Sequence, residues 1–296
     1  MLVIDEEHLE TAEEFLDALH PRNVRWMPRH HDWIFRGHGD SNWPLRPSAY
    51  RPKSWEPFGG FDPTTEYEEF RLGCEIQLLQ MFAEHLDRAG HHLPGATRQQ
   101  IDALAPSGSV GPWPHWLVEL AAFAQHHGVP TRLLDFTRHG PVAAYFAAAE
   151  PNEPTEHLCV WAFDTNLFGR GDHSSDRWLT LERVSRWSNP NLHAQDGLFA
   201  LWSNLELLSF DDIVKERWSP YPKGGVTPVL GRKMLLPRSE AKDLLRLLVY
   251  DRISAATMFP SPDGVVRALK EEALHRGYSY GKYTGPLWLM QKRSKR

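Results

Sequence analysis

The sequence predicts a single α+β domain with a central mixed sheet flanked by helices. Three patterns carry that expectation: capping boxes that precede amphipathic stripes, an alanine-rich segment behind a proline at a helix start, and a short run that is apolar on both faces. Thr11-Ala-Glu-Glu14 is the first capping box, and Leu9, Ala12, Phe15, Leu16 and Leu19 form a stripe that Pro21 closes. Asp32 to Arg36 reads as a short strand stopping at Gly37, and residues 37–63, rich in Gly, Pro, Ser and Trp, as an ordered loop. Thr65-Glu-Tyr-Glu68 opens a second helix with Phe70, Cys74, Leu78, Phe82 and Leu86 near one face, closed by Gly90. Residues 90–112 are polar and rich in Gly and Pro, and are expected to form a mobile loop or lid.

A third helix is expected from about Pro114 to His127, ending at Gly128, which suits the left-handed position after a helix. Pro130 then turns the chain into Thr131-Arg-Leu-Leu-Asp135. Pro141 starts a helix through Val142-Ala-Ala-Tyr-Phe-Ala-Ala-Ala149, whose small side chains let neighbouring backbone approach. Leu158-Cys-Val-Trp-Ala-Phe163 reads as a buried strand, and only short strands or turns are expected between 165 and 235. Pro237 opens a helix with Ala241, Leu244, Leu245, Leu248 and Val249 at helical spacing. Ser261-Pro-Asp-Gly264 starts the last, with Ser261 as N-cap and Pro262 at the first helical position. No repeat or low-complexity linker interrupts the chain. The organisation expected is one domain over 1–280 and a C-terminal extension over 281–296 with a basic tail, Lys292 to Arg296.

Composition narrows the function. A chain of 296 residues buries roughly three quarters of the surface its unfolded form exposes. Twelve Trp residues suggest a well-filled core with some rings walling a pocket. The net charge of −5 gives no global field towards nucleic acid or anionic lipid. Cys74 and Cys159 stand alone, which fits a reducing compartment, and neither a secretory signal nor a membrane span is visible, so a cytoplasmic location with no membrane partner is expected. The sixteen His residues include no metal-ligand spacing, and no metal is expected.

Two segments concentrate chemistry. Arg36 stands at the end of a predicted strand, in Arg36-Gly-His-Gly-Asp-Ser-Asn42, where its planar fork can grip a phosphate or carboxylate. Equally, it can pair with Asp40 and hold the loop. The second segment is Gln125-His-His-Gly-Val-Pro-Thr-Arg-Leu-Leu-Asp-Phe-Thr137. His127 shares the face of Trp116, Leu120 and Phe123 and is expected to be half-buried, whereas His126 is turned about 100° away and is freer to meet a ligand. The helix C-terminus is expected to raise such an imidazole's pKa. Arg132 and Asp135 are close enough in sequence to pair with each other.

Together these segments resemble the FRG domain family. The resemblance rests on Trp33-x-Phe-Arg-Gly37, Leu45-x-Pro-Ser48, Arg51, the 125–137 run, Pro141-x-Ala-x-Tyr-Phe-Ala147, Gln195-x-Gly-x-Phe199 and Phe259-Pro-Ser-Pro-Asp-Gly264, in order from about residue 11 to 275. His38 departs from the family, which more often has Gln there. The resemblance implies a bacterial or phage-associated intracellular protein, with toxin or antiviral-defence roles. A weaker, fold-level likeness is to ADP-ribosyltransferases of the Arg-Ser-Glu type, whose NAD site also begins with an aromatic-Arg-Gly.

That likeness implies Arg36 on the NAD phosphates, with Gly37, Ser48, His126, His127, Thr131 and Arg132 around the nucleotide. Tyr145, Trp43 or Phe199 would stack on nicotinamide. Gln195 occupies the late strand position where those enzymes carry Glu, so the carboxylate expected to stabilise an oxocarbenium-like ribose is Asp135, with Asp263 the other acid considered. The expected catalytic set is thus Arg36, His126, Asp135 and Gln195. The leading expectation is an NAD-dependent ADP-ribosyltransferase-like effector with a macromolecular target and an antitoxin or regulatory partner. The alternatives are a non-catalytic nucleotide- or phosphate-binding module using Arg36, Arg132 and His126, and a nuclease with His126 as base. The charge balance and the lack of a carboxylate cluster speak against the nuclease.

Overall fold

The computed structural model describes residues 4–27, 32–64, 68–104, 113–150, 155–165, 179–186, 189–202, 209, 229 and 231–276. Of these, seven strands form one mixed sheet: β1 (Ile4–His8), β2 (Trp33–His38), β3 (Leu133–Thr137), β4 (His157–Asp164), β5 (Leu179–Glu182), β6 (Gly197–Trp202) and β7 (Gly231–Pro237). Their order is β1-β7-β4-β2-β3-β6-β5. Only β1 runs parallel to its neighbour β7; the other pairings are antiparallel.

Helices cover one face in two groups. α1 (Ala12–Leu19), α5 (Gly140–Ala149) and α7 (Ala241–Leu248) pack on apolar residues of β2, β4 and β7, joined by the short α8 (Ala255–Met258). α2 (Glu68–Arg88), α3 (Arg98–Asp102) and α4 (His115–His126) pack on β3 and β6 through Leu133, Phe199 and Leu201. The short α6 (Pro190–Ala194) precedes β6, and α9 (Pro262–Arg276) follows α8. The other face of the sheet carries Ile34, Cys159, Trp161, Phe163 and Leu134, covered by Leu45 and by Ala49, Tyr50 and Trp55 from two 3-10 turns, Ser48–Tyr50 and Pro52–Phe58.

Alternation along β2 explains Phe-Arg-Gly. Phe35 enters the helical face beside α5, while Ile34 faces the opposite side. Gly37 lies against α5: a Cβ there would stand 2.0 Å from the Ala143 carbonyl oxygen and 2.7 Å from the Ala147 nitrogen. The alanines of α5 and this glycine let a helix backbone rest on a strand backbone. The sheet is weakest at the same place. β2 and β3 share a single registered pair, Phe35 with Thr137, whereas β2 pairs with β4 along its whole length.

Several expectations change. β1 was not foreseen, because one face of Ile4-Asp-Glu-Glu-His8 is solvated and the segment carries no apolar alternation beyond Ile4. Thr11 caps α1 by accepting from the Glu14 N–H, while the Glu14 carboxylate bonds the N–H of Glu10, so the reciprocal box is not closed on Thr11. On α2 the deeply buried residues are Leu72, Ile76, Leu79 and Ala83, and Phe70 is exposed, because the helix also buries a charged residue, Glu75. Val249 lies just past α7 and is exposed. The expected lid is anchored over 90–104: Thr97 caps α3, and Gln80 donates to the Ile101 and Leu104 carbonyls. The start of the capping box at Thr65, residues 105–112 of the expected lid and the basic tail lie outside the described residues. The β2–α5 contact makes a prediction: Gly37→Ala forces strand and helix apart and destabilises the protein by about 3 kcal/mol, read as a drop in the denaturant midpoint at unchanged slope.

Candidate functional site

Where β2 and β3 part, a cleft of about 300 Å³ opens between α4 and α5. Its polar wall includes Arg36, Gln125, His126, Asp135, Glu150 and Gln195, and its apolar wall includes Phe35, Phe146, Phe199 and Phe259. Arg36 spans the gap. One Nη1 N–H donates to the Asp135 carbonyl at 2.8 Å and reaches its Oδ2 at 3.4 Å. The guanidinium thus supplies the donor that the parted strand does not. Its Nε N–H donates to His38 Nε2 at 3.1 Å.

His38 must therefore be neutral, with its proton on Nδ1, because a nitrogen that accepts from a permanent cation cannot carry a proton itself. Burial, then the nearby Arg36 and Arg51, hold its pKa well below the ordinary imidazole value. A glutamine carbonyl at this position offers the same acceptor.

Asp135 is held from both sides. Gln125 Nε2 donates to its Oδ1 at 2.6 Å, and the Gln125 carbonyl oxygen accepts from the Thr131 hydroxyl. Thr131 is fully buried, and its backbone N–H donates to Ser48 Oγ at 2.9 Å. A chain of polar contacts therefore runs from the 3-10 turn at Ser48 to the carboxylate. The side chain of Asp135 is 56% exposed against 16% for Arg36, so solvent screens their attraction.

The structure brings together Arg36, Gly37, His126, Asp135, Gln195 and Phe199, and sets others apart. Arg132 does not pair with Asp135. It is buried, with its Nε on Glu75 Oε2 at 2.9 Å and its backbone N–H on Oε1 at 2.7 Å, beneath the ring of Trp113. Burial pushes the Glu75 carboxyl up from its ordinary range, and Arg132 pulls against it. Arg36 pairs with Asp135 rather than Asp40, which instead accepts from Asn42 and Thr155.

Tyr145 is fully buried and donates to Glu271 at 2.8 Å, which removes it from stacking. Trp43 lies edge-on to His38. His127 is the C-cap of α4, exposed, with its ring against Phe123; the helix ends one residue too soon to carry its phase inward. His126 lines the cleft with its Nε2 3.0 Å from the Asn191 amide. Burial first, then His127, lowers its pKa, so desolvation outweighs the helix terminus expected to raise it. Gln195 is not on a strand. It caps α6, donates to the Met258 carbonyl at 3.0 Å and precedes β6.

Gln125, Phe146 and Phe259 were given no role from sequence. Each stands inside or beside a quoted motif, and that was the available signal. Among the described residues no group of three or more His, Cys, Asp and Glu is placed to hold a metal ion, and no helix is long and apolar enough to cross a membrane.

Residues 31–156 match a family model described as FRG domain. The match covers β2, the Ser48 turn, α2 to α4, β3 and α5; the strands β1, β4, β5, β6 and β7, outside it, complete the same sheet. No curated protein and no solved structure matches the chain.

Two predictions follow from the burial of these charges. Arg132→Met leaves the buried Glu75 without its partner and costs about 3–5 kcal/mol. Arg36→Met removes a screened ion pair together with the bonds to the Asp135 carbonyl and to buried His38, and costs less, about 1–3 kcal/mol by the same denaturant titration. The second concerns acid stability. A neutral buried His38 binds no proton where the unfolded chain does, so stability is full above the unfolded pKa of about 6.5 and falls below it, by up to about 1.4 kcal/mol per pH unit. His38→Gln keeps the acceptor for Arg36, and denaturation between pH 6.5 and 5 should show a correspondingly shallower loss.

Proposed function

We propose that this chain, which carries an FRG domain, binds a nucleotide in the α4–α5 cleft and transfers ADP-ribose from NAD as an effector in bacterial or phage conflict. The observation that carries the reading is the meeting of Arg36 and the half-exposed carboxylate of Asp135 on one side of an aromatic-walled cleft. The donor set fits NAD: a guanidinium for phosphate, a carboxylate and a glutamine amide for ribose hydroxyls, and phenyl rings for a planar base. NAD bound there supplies an electrophilic ribose carbon and a neutral leaving group, nicotinamide.

The residues then divide the work. Arg36 would hold the diphosphate. Phe146, Phe199 and Phe259 wall a dry space for a ring. Asp135 places negative charge where positive charge develops on the ribose, fixed in direction by Gln125. His126, with its lowered pKa, is neutral near pH 7 and able to take the proton released by an attacking hydroxyl or amine.

A second reading has its own observation. Both carboxylate oxygens of Asp135 are already engaged, by Gln125 and by Arg36, which suits a scaffold for phosphate binding with no turnover. Incubation with labelled NAD separates the two. Asp135→Asn stays folded, binds NAD within a few-fold, and releases nicotinamide at least about a hundredfold more slowly than the wild type. Full turnover in that variant removes Asp135 from the mechanism. Binding without any release by the wild type hands the chain to the binding-module reading.

A further inference from the structure

A second pocket, of about 330 Å³, lies beside the first and is lined by Arg36, Ser48, Arg51, Lys53, Ser54 and Asp135 among others. The two share Arg36, Gln125 and Asp135, so the ion pair stands at the partition between them. Their chemistry differs: the first is walled by phenyl rings, and the second gathers cations. Arg51 is held in place by two N–H groups on the Arg46 carbonyl. Its burial, followed by repulsion from Arg36, lowers its pKa to about 10. Lys53 is exposed. Three cations therefore share one lining carboxylate, Asp135, with Glu150 acting on Arg51 from the aromatic cleft. This local excess of positive charge sits in a chain whose net charge is −5.

We infer that this second pocket binds the phosphate or diphosphate of an organic ligand, and that the phosphate competes with Asp135 for Arg36. The inference rests on the nucleotide-cleft reading in one respect, that a single ligand reaches both pockets. The contact between Arg36 and Asp135 Oδ2 is a single one at 3.4 Å, with the carboxylate 56% exposed, which is a weak ion pair. A phosphate ester brings up to about two negative charges and three acceptor oxygens, and Arg51 and Lys53 act on it together with Arg36. When the Arg36 guanidinium shifts towards the phosphate while keeping its bonds to the Asp135 carbonyl and His38, only the longest contact is given up and Asp135 Oδ2 loses its counter-charge. Gln125 still holds Oδ1, so the carboxylate keeps its direction towards the aromatic cleft. Occupation of the cationic pocket thus unmasks the acid in the other, and no covalent bond changes.

The test is calorimetric titration of the full chain with inorganic diphosphate. Wild type binds it. Lys53→Met, at an exposed position, and Arg51→Met each weaken binding by about tenfold or more, the order expected for losing a charged contact. Asp135→Asn removes the competitor and tightens binding several-fold. This sign is opposite to that of a residue that merely supports the site. Unchanged affinity in both cation variants overturns the pocket, with the Lys53 variant deciding if the Arg51 variant unfolds. Unchanged or weaker affinity in Asp135→Asn overturns the competition. Nicotinamide release is read separately: tightening in Asp135→Asn beside a wild type that releases none leaves this inference standing and removes only the transfer reading.

Discussion

The site depends on the parting of β2 from β3 after the Phe35–Thr137 pair, with Arg36 reaching across the gap. An antiparallel pair that separates leaves carbonyls without strand donors, and another group must then meet them. Here one guanidinium meets that need and brings a charge with it. The need also explains the residues on each side. Phe35 holds the last paired position in the core, Gly37 lets α5 approach, and His38 accepts the remaining Nε proton.

The motif at 125–135 holds two kinds of charge, sorted by burial. Arg132 and Glu75 are almost wholly buried, with both carboxylate oxygens in use, and they tie α2 to the start of β3. Asp135, three residues on, stands open to solvent in the cleft. Alternation along a strand makes this division natural, since neighbouring positions face different surroundings. Gln125 links the two regions, with its amide N–H donating to Asp135 and its carbonyl oxygen accepting from the buried Thr131 hydroxyl, so the polar wall is a chain of side-chain hydrogen bonds anchored at its buried end.

Much of the fold was legible. β4, α4 with Gly128 at φ +89, α5 behind Pro141 and the start of α9 followed from periodicity and caps, because each is governed by neighbours in sequence. The strand β1 was not legible, since a solvated edge strand needs only backbone pairing with β7. In the site, Arg36 and Asp135 could be placed together from their motifs, but their direct contact could not, because the gap between β2 and β3 is a property of the sheet. Arg132 and Tyr145 misled for one reason. Their partners, Glu75 and Glu271, lie 57 and 126 residues away, and no local pattern announces them. His127 misled because a helical phase was carried one residue past the helix end.

The contact of Gly37 with the α5 backbone also has a mechanical meaning. With the Ala143 carbonyl so close, β2 and α5 have no side-chain cushion between them, and β2 is laced to β4 along its length. These elements form one stiff leaf of the molecule. On the other side, β3 is laced to β6 and carries α4 through Leu133. Between the strands of the two leaves run one registered pair and the bonds of a single arginine, with the Ser48 turn on Thr131 and Gln195 on the Met258 carbonyl joining them at the margins. The cleft therefore sits on the crease of the sheet, where strand pairing is thinnest and the backbone on either side is held by its own neighbours rather than across the gap.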